Sequence, residues 1–229
     1  MILNIKGDIV NDDVKRAVNW LNDNGWLILG DYFAPMDLKA ALETMPKGDR
    51  LQVKINSGGG DLEAGVEIYS LLKARNDVDI EVQSIAASAA SLIAMAGPST
   101  ISPAGMIMIH DVSINGVSGN HQDMEKYADI LKSYDKTLVT AYSEKTGRSE
   151  AELTKYMDDE TWLPAKRAVA LGFIDEFTAD GHEELAASAE DIFNAHRDIM
   201  ELYTKAMREK SEKETRKQNI LKDLDKFGE

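Results

Sequence analysis

Cysteine is missing from all 229 residues. That absence excludes a disulfide framework, a thiolate nucleophile, thiolate zinc and an iron–sulfur cluster in one step. It also suits a reducing compartment. Basic residues are few: 26 Lys and Arg stand against 40 Asp and Glu, a net charge of −14. Phosphate binding needs a positive surface, so nucleic acid is not an expected partner. An anionic membrane is not expected either. No apolar run reaches the ~20 residues of a membrane span. Residues 1–7 lack the basic start and long apolar stretch of a signal peptide. The expectation is a soluble, cytoplasmic protein. Histidine is scarce, with four in the chain. None has a paired ligand spacing such as HExxH, so no metal and no cofactor are expected.

Hydrophobic residues make up 43% and charged residues 29%, the balance of a globular chain. The length supports a core that needs no staples. Composition then divides the chain. Up to Phe177 it holds 14 of the 16 glycines and all five prolines. Between Glu183 and Phe227 there is neither, and charged residues dominate. Apolar positions there recur at Leu185, Ala189, Ile192, Phe193, Ile199, Leu202, Tyr203 and Met207, a helical period. We therefore expect one domain over 1–179 and a charged amphipathic helical tail over 180–229, either a surface helix packing on its own domain or an interaction or oligomerisation segment.

The first part reads as α/β layers. Strands are expected at 2–5, 26–29, 51–55, 80–85 and 105–109, from apolar alternation or short apolar runs. Helices are expected at 61–75, capped by Asp61, at 88–96 and at 122–146. Repeated strand–helix alternation predicts crossovers and a mainly parallel sheet.

Three segments could carry chemistry. Asn56-Ser57-Gly58-Gly59-Gly60-Asp61 lies between a strand and a helix, where glycines let backbone N–H groups approach an anion. A plain tight turn explains it as well. Ala86-Ala87-Ser88-Ala89-Ala90 follows a strand and opens a helix, so Ser88 could be a nucleophile with the Ala89 N–H beside it, or merely a helix N-cap. His110 ends a strand, where α/β sheets place functional groups. It is the best-placed base for a serine. A carboxylate to orient it could come from Asp158-Asp159-Glu160, a cluster that a solvated helix end explains equally.

Together these pieces resemble the Clp-type proteolytic subunit (ClpP) family over about residues 2–177. The family's Asn-Ser-Pro-Gly-Gly loop is similar to Asn56-Ser57-Gly58-Gly59-Gly60, with Gly58 in the proline position. Its Ala-Ala-Ser segment resembles Ala86-Ala87-Ser88, and the glycine nine residues on matches Gly97, a spacing that Ser91 fails. Met108-Ile109-His110, Lys145-Thr146-Gly147, Trp162-Leu163-Pro164-Ala165 and Gly172-Phe173-Ile174-Asp175-Glu176 follow in the family's order.

The resemblance implies a ClpP/crotonase-like α/β fold of stacked ββα units with a protruding handle helix near 122–146. It implies Ser88 as nucleophile, His110 as general base and acid, and the Gly59 and Ala89 N–H groups as an oxyanion hole. The third triad position falls on Glu160, with Asp159 and Asp158 as alternatives. It also implies a homo-oligomeric ring of roughly six or seven copies. The first strand begins near Ile2, without the segment on which housekeeping members dock an unfoldase; this speaks against an ATPase partner. The charged tail is similar to the scaffold segment of phage-type head maturation proteases, which cleave scaffold and capsid precursors, and often themselves, inside an assembling prohead in the host cytoplasm. Three other readings stay open: a housekeeping Clp-like subunit working with an AAA+ unfoldase, an acyl-CoA hydratase or isomerase of crotonase fold, and a catalytically silent assembly scaffold.

Overall fold

The computed structural model describes residues 1–26, 30–178, 204–205 and 207–208. The expected strand at 26–29 and the expected tail at 180–229 lie outside the described residues, apart from Trp26 and residues 204–205 and 207–208.

Strand β1 (Ile2–Ile9) opens the chain and leads into helix α1 (Asp12–Asp23). The Asn11 side chain caps α1 by accepting from the Val14 N–H, and Asp12 and Asp13 suit its positive end. Strand β2 (Tyr32–Phe33) and helix α2 (Pro35–Thr44) follow, with Pro35 at the first helical position, where its missing N–H costs nothing. Then come β3 (Leu51–Gly60), α3 (Leu62–Lys73), β4 (Val78–Ala87), α4 (Ala89–Ala94), β5 (Ser99–Ile101) and β6 (Met106–Ile109). The long helix α5 (His121–Thr146) is followed by α6 (Glu150–Asp158), β7 (Thr161–Pro164), α7 (Ala165–Ala170) and β8 (Glu176–Phe177).

The sheet runs β2-β1-β3-β4-β5-β8 in parallel, as expected. β4 then forks. Its first half, from Ile80 to Val82, pairs with β5, while Ile85 to Ala87 pair with β6. β6 in turn holds β7 antiparallel. In β3 the residues Leu51, Val53 and Ile55 are buried, whereas Gln52 and Lys54 face a polar surface and meet Glu81 of β4. That one-sided burial is why the strand alternates visibly in sequence. Its buried face packs on α3 through Ile68 and Leu72, and on α4. Each such side chain contributes roughly 1.5–3 kcal/mol on burial.

Several elements differ from expectation. β3 does not stop at Ile55 but runs through the glycine cluster, because Asp8 and Ile9 of β1 pair with Gly59 and Gly60. The cluster is thus the end of a strand, not a free turn. β4 continues to Ala87 for the same kind of reason, through its pairing with β6. α1, α2, α6, α7 and the short strands β2, β5, β7 and β8 were not among the expected elements.

α5 spans 26 residues and is a handle in form. Its N-terminal half is largely exposed, while Leu138, Val139, Ala141 and Tyr142 enter the core. It ends at Gly147, whose φ of 68° lets the chain turn back, with its N–H on Ser143 O. Lys145 ties this end to the sheet through Gly97 O (3.0 Å) and Asp175 (2.6 Å), and Asp175 in turn accepts the Ser99 N–H (2.8 Å).

Asp8 is buried beside Tyr32, and burial pushes its carboxyl up to about 6. An acid raised in the fold favours folding below its unfolded pKa and loses that contribution as pH rises through the folded one. Asp8→Asn is therefore expected to melt near wild type at pH 4 and increasingly above it towards pH 7. Thermal melts across that range check this; a constant difference at every pH contradicts it.

Candidate active site

The fork in β4 builds the site. Ala87 is the last residue of β4 and pairs with Met108 of β6, and the Ser88 N–H donates to Met108 O at 2.9 Å. Two parallel strands therefore end side by side, and the next residues off them are Ser88 and His110. Ser88 Oγ lies 2.8 Å from His110 Nε2. Although Ser88 occupies the N-cap position of α4, its hydroxyl makes no cap bond; it faces the imidazole instead. Its backbone has φ 53° and ψ −125°, a conformation that costs a non-glycine residue on the order of 1–3 kcal/mol.

Gly59 packs against this turn. Its φ is 100°, and a Cβ there would lie 2.6 Å from Ala87 O and 2.8 Å from Ser88 Cβ. Only glycine fits. The Gly59 N–H donates to Ser57 Oγ (3.1 Å), and Ser57 donates to Gly7 O (2.6 Å). The Ala89 N–H is the first of helix α4, so it has no acceptor within the helix.

His110 is half-buried. Burial pulls its pKa below the ordinary value, opposed by the charges of Glu160 and then Asp135. Register explains the first carboxylate: Ile109 pairs antiparallel with Thr161, so the next step outward brings Glu160 opposite His110. Glu160 has a φ of 45°, and its Oε1 accepts from Trp162 Nε1 at 3.2 Å. The other two acids of the cluster go elsewhere. Asp158 bonds to Asp111, whose carboxyl is pushed up to about 6 by burial and by Asp135 and Asp158. Asp159 caps the end of α6 and is exposed. Among the described residues, no group of three His, Asp or Glu is placed to hold a metal ion.

Two neighbours were not anticipated. Asp135 of α5 accepts the Val112 N–H at 2.7 Å, just past His110. Tyr142, two turns further along, reaches the buried Ser91. Their spacing with Leu138 follows one helix face, which is the sequence signal available for them. Beside Ser88 and His110 opens a cleft of about 370 Å³, walled by Leu62, Ile114, Ile130, Leu131, Leu138 and Tyr142. The arrangement can hold an extended chain by apolar side chains while presenting a hydroxyl, an imidazole and backbone N–H groups to one of its carbonyls.

A protein-family model described as Clp protease matches residues 37–181, a stretch that contains Gly59, Ser88, Ala89, His110 and Glu160. The chain is 32% identical over 139 residues to the ATP-dependent Clp protease proteolytic subunit 1 of Chlamydia abortus, covering 58% of this chain and 72% of that protein. It is 30% identical over 140 residues to the protein of the same name from Protochlamydia amoebophila, covering 59% and 68%. The ATP-dependent Clp protease proteolytic subunit of Bacteroides fragilis is 30% identical over 139 residues, covering 59% and 67%.

A base at His110 acts as neutral imidazole, so a lowered pKa keeps it competent to lower pH. The acid limb of Ser88 phosphonylation by a fluorophosphonate is expected below pH 6.5. Glu160→Gln removes a charge that favours imidazolium, so its limb moves further to the acid side. If Glu160 orients the imidazole, the plateau is expected to fall about tenfold or more as well. A wild-type limb above pH 6.5, or an unmoved limb in Glu160→Gln, contradicts this.

Proposed function

The chain belongs to the Clp protease family, whose model matches more than half of it, and from that premise we propose that it is a serine endopeptidase of phage head maturation. The observation that carries the peptidase reading is the 2.8 Å contact between Ser88 Oγ and His110 Nε2. Ser88 Oγ attacks the scissile carbonyl carbon while Nε2 takes its proton. The carbonyl oxygen becomes an oxyanion held by the Ala89 N–H and by the Gly59 N–H, which turns to it from Ser57 Oγ. His110 passes the proton to the leaving amine, and the C–N bond breaks. Water, deprotonated by His110, then attacks the acyl-enzyme, and Ser88 regains its proton. Glu160 serves as the carboxylate that orients the imidazole. Each oxyanion donor is worth on the order of 10²–10³ in rate.

The maturation role rests on the segment beyond the family match. Residues after 181 are densely charged and free of glycine and proline from Glu183 to Phe227, as suits a scaffold segment. Its substrates are then capsid or scaffold precursors, including this tail, and the enzyme works as a ring without ATP. A second reading, a degradative subunit fed by an AAA+ unfoldase, is favoured by the names of the relatives, which are ATP-dependent Clp protease subunits.

Intact-mass spectrometry before and after long incubation separates these. We expect a single fluorophosphonate adduct on wild type, none on Ser88→Ala, and loss of the tail from wild type only. An adduct without tail loss, with protein degradation only when an AAA+ unfoldase and ATP are added, supports the degradative subunit. No adduct on folded wild type contradicts the peptidase and leaves an assembly scaffold.

A further inference from the structure

Ser91 and Tyr142 are both fully buried, and Ser91 contacts the Ser88 turn directly while Tyr142 contacts Ser91. Ser91 Oγ donates to Ser88 O at 2.6 Å, and the Ser91 N–H donates to the same oxygen at 2.9 Å. Ser91 Oγ also lies 2.8 Å from Tyr142 Oη. The direction of this chain is fixed by its end. A carbonyl can only accept, so the one Ser91 hydroxyl proton goes to Ser88 O. The Tyr142 hydroxyl must then be the donor to Ser91 Oγ. Burial pushes the Tyr142 phenol up to about 12, so it keeps that proton throughout the working range.

The anchored oxygen belongs to the peptide unit that also carries the Ala89 N–H. That unit is planar and trans, so its C=O and N–H point in opposite directions. Holding Ser88 O towards Ser91 therefore aims the Ala89 N–H away from the core. The pull on the carbonyl oxygen also polarises the amide, making its N–H a stronger donor. The turn needs such a hold, because Ser88 sits in a strained conformation at φ 53°.

We propose that Ser91 and Tyr142 are positioning residues that lock the Ser88–Ala89 peptide so that the Ala89 N–H is preset for the oxyanion. The inference rests on Ser88 being the nucleophile. It assigns Ser91 a task behind the turn, where the hydroxyl is sealed from the cleft, and it gives α5 a direct hydrogen-bonded link to the reaction centre through Tyr142.

The test is saturation kinetics of fluorophosphonate labelling on wild type, Ser91→Ala, Tyr142→Phe and the double variant, with thermal melts alongside. The adduct is tetrahedral, so its formation calls on the oxyanion donors. The maximal labelling rate is expected to fall about 10–100-fold in Ser91→Ala and less in Tyr142→Phe, below the full loss of a donor. The double variant should match Ser91→Ala, because the two hydroxyls act in series. Half-saturation and the acid limb of the pH profile should stay at wild-type values, since Ser91 lies outside the cleft lining, Tyr142→Phe keeps the ring that walls the cleft and removes only its hydroxyl, and the Ser88–His110 pair is unaltered. A maximal rate within twofold of wild type in folded Tyr142→Phe and Ser91→Ala overturns the proposal. So does a change confined to half-saturation, which marks a cleft-packing role alone. Absence of any wild-type adduct overturns the nucleophile reading and this inference with it.

Discussion

The register between β4 and β6 is the constraint on which the rest depends. Ala87 pairs with Met108 because β4 sheds β5 after Val82 and takes up β6 from Ile85 onwards. Without that exchange, Ser88 and His110, 22 residues apart in the chain, would not leave neighbouring strands at the same level. β3 reaches the same level because β4 takes up two extra residues against it between Val82 and Ala86, and because β3 bulges by one residue against β1 between Asn56 and Gly59, which brings Gly59 alongside Ser88. The third approach comes from the antiparallel β7, which sets Glu160 opposite His110. Strand ends thus supply the groups of the candidate site, and the strained Ser88 is held by hydrogen bonds on both sides of its turn. Met108 O takes its N–H, and the Ser91 N–H and hydroxyl take its carbonyl.

Electrostatics around His110 follow from the same packing. Burial disfavours the imidazolium, while Glu160 and Asp135 favour it. This balance suits the proposed base: burial favours the neutral imidazole, and the two carboxylates would compensate the imidazolium formed on taking the serine proton. The neighbouring Asp111 and Asp158 are kept apart from this task. They bond to each other, and burial and mutual repulsion raise Asp111 towards a protonated state. The acidic surroundings therefore do not act on His110 as one block: the β6–β7 register brings Glu160 to it, and the packing of α5 brings Asp135.

Much of this was legible where local rules and global packing agree. The alternation in Leu51, Val53 and Ile55 showed because one face of β3 is buried, and Asp61 read as a cap because it accepts the Ala64 N–H. Ser88 and His110 stood out as a serine at a strand-to-helix boundary and a histidine at a strand end. The extension of β3 through three glycines was not legible, since glycine has no strand preference and the pairing comes from β1, some fifty residues earlier. α1 carries a plain helical stripe at Val14, Ala17, Val18 and Leu21, yet the strand on either side gave the stronger pattern. β5 and β8 span three and two residues, too short to show a period. The choice among Asp158, Asp159 and Glu160 depends on β6–β7 pairing, and the Ser91–Tyr142 contact joins residues 51 apart; neither leaves a local trace.

The central claim is that one tetrahedral centre forms on Ser88 and is received by the backbone of two neighbouring strand ends. The most direct measurement is a crystal structure of the wild-type enzyme after reaction with a fluorophosphonate. The account predicts phosphorus on Ser88 Oγ, with its free oxygen about 3 Å from both the Ala89 and Gly59 nitrogens and the Gly59 N–H released from Ser57 Oγ. Phosphorus on another serine, or an oxygen directed to solvent while Gly59 stays bonded to Ser57, would contradict it.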